Sequence, residues 1–215
     1  MRNILLFSVL LISILGTAQE KLKEAIITSK QTISTDSPQM QARFDAMGET
    51  VSTTYIKGNN SRVEMNSPMT GPMVVITNGD KMKSLTLMDN PIAGKKFTIE
   101  DLELTPEMKD NIEVVDGNTT KTILGYECEE KIITLSQNGG EVKMTIFVTN
   151  KISPVKTQQT AMLDDQIKGY PLYKVINMKQ SGMEMTITTE VTNIEATSVS
   201  DEKFELDVPE GYTEQ

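Results

Sequence analysis

Four times along this chain, a short run of alternating apolar and polar residues enters a glycine-bearing turn and leaves it as a second such run. Residues 50–57 pass through Gly58-Asn59-Asn60 into 61–66, and residues 73–77 pass through Asn78-Gly79-Asp80 into 82–88. Residues 125–136 meet Asn138-Gly139-Gly140 and continue as 141–149, while 172–179 meet Ser181-Gly182 and continue as 183–194. Tight hairpins need residues that adopt positive φ, which Asn-Gly and Gly-x pairs supply. Successive hairpins pair strands that are neighbours in sequence, so the chain is predicted to fold as an antiparallel meander. The alternation agrees. Val142, Met144, Ile146 and Val148 fall on one side of a strand and Lys143, Thr145 and Thr149 on the other, with Phe147 the exception. Met183, Met185, Ile187 and Val191 likewise face away from Glu184, Thr186, Thr188 and Glu190. Such period-two separation gives a sheet one buried and one wetted face.

Helical signals are few. Ser37-Pro38, the body 39–47 and Gly48 read as the start, middle and glycine end of one helix, with Met40, Phe44 and Met47 on one face. A short helical turn is expected from Thr105-Pro106-Glu107 to Asp110, and a third helix over 158–166. Residues 90–103, punctuated by Pro91 and Gly94, read as a long connection, and 204–212 as a terminal strand. No repeat or low-complexity linker divides the chain, so one β-rich domain is expected over residues 19–215.

Residues 1–18 stand apart. Arg2 precedes an apolar run from Ile4 to Leu15, broken only by Ser8 and Ser13, and Gly16-Thr17-Ala18 follows. A basic start, an apolar middle and small residues at the end make a secretory signal, with cleavage expected after Ala18. The run is too short to span a bilayer comfortably. Gln19, rather than a cysteine, follows the cut, so no lipid anchor is expected. The predicted product is exported to the periplasm or beyond and does not span a membrane.

Charge and missing residue types narrow the function. With 21 basic and 30 acidic residues the net charge is −9, which opposes attraction to nucleic acid or to a bare anionic lipid surface. There is no histidine, so Ser-His and Cys-His nucleophiles and His metal ligands are excluded. The one cysteine, Cys128, lies between Glu127 and Glu129, which disfavour a thiolate. It reads as a small buried strand residue, or as the site of an intermolecular disulfide or a thiol sensor. The acidic groups Glu100, Asp101 and Glu103, Asp164-Asp165, and Glu127, Glu129 and Glu130 read as solvated surface.

The chain holds 14 methionines and no tryptophan. Methionine is flexible and polarizable, and adapts to varied apolar shapes, either in a core or in a ligand cavity. The candidate cavity liners are Met144, Ile146, Val148, Met183, Met185 and Ile187, with Met40 and Phe44 on a helical lid. A weaker reading gathers Met65, Met69 and Met73 as thioether ligands for copper(I). No cofactor is expected, and no enzymatic activity.

Several short motifs suggest a family. They are Tyr55-Ile56-Lys57-Gly58, Arg62-Val63-Glu64-Met65, Asp89-Asn90-Pro91, Gly94-Lys95-Lys96, Ile123-Leu124-Gly125-Tyr126 with Cys128, and Phe204 with Val208-Pro209-Glu210-Gly211-Tyr212. In these the chain resembles the exported bacterial domain-of-unknown-function family 4412, itself similar to the lipoprotein carriers LolA and LppX. The resemblance implies a mostly β fold, a curved antiparallel half-barrel with a small helical lid and an apolar cavity for acyl chains, in a Gram-negative cell envelope. It carries over no catalytic residue. The function expected is non-enzymatic binding or carriage of a lipid or lipoprotein acyl chain. The alternative is an envelope interaction module with a filled core, whose partner is another protein.

Overall fold

The computed structural model describes residues 21–215 apart from 69, 103–110, 138–139, 156–165 and 181–182. The chain forms β1 (Glu24–Thr35), α1 (Pro38–Met47), β2 (Thr50–Lys57), β3 (Asn60–Ser67), β4 (Gly71–Asn78), β5 (Lys83–Asn90) and β6 (Gly94–Asp101). There follow β7 (Ile112–Ile123), β8 (Tyr126–Gln137), β9 (Gly140–Thr149), β10 (Tyr170–Gln180), β11 (Met183–Glu195) and β12 (Thr213–Glu214). All twelve strands belong to one open, curved sheet in the order β12-β6-β5-β4-β3-β2-β1-β11-β10-β9-β8-β7. The first meander runs outward from β1 to β6. The second begins at the opposite edge with β7 and returns to β11, which pairs antiparallel with β1. The sheet is therefore closed at its centre by strands from the two ends of the chain.

The four expected hairpins are all present, as β2–β3, β4–β5, β8–β9 and β10–β11. Gly58, between β2 and β3, has φ +58, the conformation its turn requires. The helix also forms as expected, with Pro38 in its first turn and Gly48 at φ 75 donating its N–H to the Phe44 carbonyl.

Two expectations are corrected. Residues 90–103 are not a long connection, because 94–101 form β6, paired along its whole length with β5. Its alternation is diluted by charges that meet partners on β5: Lys83 with Asp101 at 3.6 Å and Lys95 with Asp89 at 3.9 Å. Asn90 fastens the turn by accepting the N–H groups of Ile92 and Ala93. Residues 204–212 are not a strand. A 3-10 turn at Asp201–Phe204 leads into an extended segment, and only Thr213–Glu214 pair, in parallel with β6. That segment trades backbone pairing for side-chain burial: Leu206, Val208 and Tyr212 pack on the core cluster Ile76, Leu85 and Leu87. The helical segments expected at 105–110 and 158–166 fall, but for Gln166, outside the described residues.

The pairing register separates two faces. On one, the tail face, Tyr55, Arg62, Ile76 and Leu85 lie opposite one another in a row beneath the C-terminal segment. The other, the helix face, carries α1. At the end where β1 begins, Ala25, Ile27, Ile56, Phe147, Leu172 and Val191 form a buried cluster drawn from both meanders. The Tyr170 hydroxyl at the head of β10 interacts with Thr54 on β2. Three strand spacings separate β10 from β2, about 14 Å in a flat sheet. Two side chains close that distance only where the sheet bends toward the helix face, so the helix face is the concave one.

Candidate functional site

The concave face is built from alternate residues of the two meanders, and the register arranges them in rows that cross the strands. One row runs Ile33, Ile187, Ile176, Met144, Ile133 and Val114, from β1 through β11 to β7. Beside it, nearer the α1 end, run Thr35, Met185, Met178, Val142 and Leu135. On the first meander, Met65, Met73 and Met88 stand opposite one another. Met144, Met183, Met185 and Ile187 thus share a half-buried apolar surface, as their spacing predicts.

Ile146 and Val148 occupy the same face but are buried with Ile133 beneath Ile167, from the segment before β10. They belong to the filled part of the molecule. Phe44 is buried and reaches the sheet from α1, whereas Met40 is half-buried and lies outside the cavity lining. The cavity itself, about 240 Å³ and partly open, lies where α1 crosses the ends of β1–β3. Gln31 and Ile33 of β1, Thr50 of β2, Met65 of β3, and Phe44 and Met47 of α1 form most of its wall. The alternation Ala25, Ile27, Ser29, Gln31, Ile33 is the signal in the sequence that marks β1 as part of that wall.

Met65 and Met73 do meet, as a cross-strand pair, while Met69 lies outside the described residues. Cys128 is fully buried on β8, and burial, with Glu127 beside it, pushes its thiol up to about 11. It is an inert core residue at neutral pH. Glu100 and Glu127 are exposed, as is Asp101, which pairs with Lys83. Glu103 and Asp164-Asp165 fall outside the described residues.

Among the charged residues on the concave surface is one that no pattern in the sequence singled out. Lys174 on β10 stands directly opposite Thr189 of β11, which stands opposite the cavity-lining Gln31 of β1. Lys174 is half-buried, and no carboxylate pairs with it among the described residues. Desolvation holds its ammonium below the usual lysine value of 10.5. A folded pKa below the unfolded one is a stability penalty, present at neutral pH and lost as the pH climbs toward 10.5. Lys174→Met is therefore expected to stabilise the ligand-free protein by roughly 1 kcal/mol at pH 7. The gain should shrink as the pH rises. Urea denaturation of both proteins at pH 7 and pH 10 checks it; equal stability at pH 7 would show that the ammonium is fully solvated.

A model of the family described as "Domain of unknown function (DUF4412)" matches residues 37–212. No curated protein matches the chain. Among solved structures it is similar to that of PNGF-II, at 13% identity and a TM-score of 0.48, over 89% of this chain and 31% of that one. The chain thus spans about a third of the length of that protein.

Proposed function

We propose that this chain, which belongs to the DUF4412 family, is an exported, non-enzymatic protein that binds or carries a lipid or other apolar ligand on the concave face of its sheet. The observation that carries the reading is the continuity of apolar rows with a cavity. Ile33 lines the space beneath α1, and directly opposite it begins the row Ile187, Ile176 and Met144. An apolar chain laid along that surface gains roughly 25 cal/mol for each Å² removed from water, before the costs of ordering. Methionines on both meanders give the wall the adaptability that a flexible ligand requires. Export rests on the charged, apolar and small-residue layout of residues 1–18.

The alternative is an envelope interaction module, favoured by β7, the last strand of the sheet. Its outer edge, unpaired among the described residues, offers a partner chain a ladder of backbone groups. Mass spectrometry separates the two. The protein, expressed with its own N-terminal segment and purified without detergent, is compared in native and organic-extracted form. A stoichiometric apolar adduct is expected. A clean apo mass, persisting after incubation with envelope lipids, would overturn lipid binding in favour of a protein partner.

A further inference from the structure

Within that reading, we infer that Lys174, Thr189 and Gln31 form the head-group site of the concave face, and that the ligand is an acyl chain ending in an anionic carboxylate or phosphate. The three residues stand in one row across neighbouring strands. Neighbouring strands lie about 5 Å apart, so Gln31 and Lys174 stand about 10 Å from each other on either side of Thr189, a distance that their long, flexible side chains can close onto one small head group. Each offers a donor: an amide, a hydroxyl and an ammonium.

The row is unsatisfied in two places. Among the described residues the buried Thr189 hydroxyl oxygen has no hydrogen-bond partner and Lys174 no carboxylate. The same row contains its own control. Two strands beyond Lys174 lies Lys131, and the protein neutralises it with Asp116. A buried hydroxyl and an unpaired ammonium side by side are costly to maintain, and the cost is removed when an anion accepts from both. On one side of this row runs the apolar row that begins with Ile33 and Ile187. An anion held at Lys174 therefore has a surface beside it on which to lay its hydrocarbon chain, the arrangement of few converging polar groups in an apolar site.

The test measures binding of palmitic acid, its methyl ester and a monoacyl phosphate to the delipidated full chain by calorimetry. The acid and the phosphate are expected to bind at least tenfold more tightly than the ester. Lys174→Met should bring them down to the affinity of the ester without weakening the ester itself, and Lys174→Arg should retain the preference. A stronger preference for phosphate than for carboxylate identifies the head. Equal binding of acid, phosphate and ester to the unmodified protein would overturn the head-group site while leaving apolar binding intact. Failure of all three to bind would overturn apolar binding itself. Because the comparison of acid with ester uses the unmodified protein, the inference is decided even if a variant does not fold.

Discussion

Ile27→Ala is expected to cost about 3 kcal/mol of stability, and Ile27→Asp to leave no folded protein. Ile27 is fully buried near the start of β1, opposite Ile194 of β11 on one side and Thr54 of β2 on the other. Its surroundings come from both meanders: Ile56 from the first, Phe147, Leu172 and Val191 from the second. The β1–β11 seam joins residues from opposite ends of the chain, so it is bought with the largest loop-closure entropy in the fold. Truncation at Ile27 weakens that seam by both lost transfer energy and a residual cavity. For a domain of this size the loss should lower the urea midpoint by roughly 1–2 M, in a single transition if the halves unfold together. Ile92, which is 98% exposed in the β5–β6 turn, supplies the comparison: Ile92→Ala should change stability by less than about 0.5 kcal/mol. Two separated transitions in Ile27→Ala would show that the meanders hold their structure independently.

The local half of this fold was legible in the sequence and the global half was not, for a physical reason. Hairpins are written in turn residues and alternation, so 50–66, 73–88, 125–149 and 172–194 could be placed. The family resemblance was carried by the same kind of short, turn-rich motif. The β1–β11 seam leaves no such mark, because pairing across more than 150 residues depends on side chains that meet only in three dimensions. β6 was missed because Lys95, Lys96, Glu100 and Asp101 look like loop residues until Asp89 and Lys83 stand opposite two of them. Period two alone places Met144, Met183, Met185 and Ile187 on one face. Ile146 and Val148 obey the same period but are covered by Ile167, and periodicity does not say what lies above a face. Lys174 escaped because a lysine on a strand reads as surface; its setting appears only when Thr189 and Gln31 are brought into its row.

The register also yields the sharpest test of ligand binding, because successive residues of one strand point to opposite faces. On β11, Met185 lies on the concave face beside Thr35 and Met178. Three residues on, Thr188 lies on the opposite face, between Thr32 and Val175. Both are half-buried, so the same charge placed at either meets comparable exposure. Met185→Glu sets a carboxylate where an acyl chain would lie, removing an adaptable apolar contact and forcing the ligand to desolvate an unpaired charge. A penalty of about 3 kcal/mol corresponds to roughly a hundredfold loss of affinity for an apolar ligand. Thr188→Glu should leave affinity within about twofold, since its carboxylate is separated from the ligand by the thickness of the sheet. Circular dichroism and thermal melting establish that both variants fold; binding of a fluorescent acyl probe then reads the difference. Loss of binding in both variants would trace the effect to general destabilisation of β11. Retention in both would place the ligand away from this half of the concave face and direct the next substitutions to the cavity beneath α1, with Phe44 and Met65 in its wall.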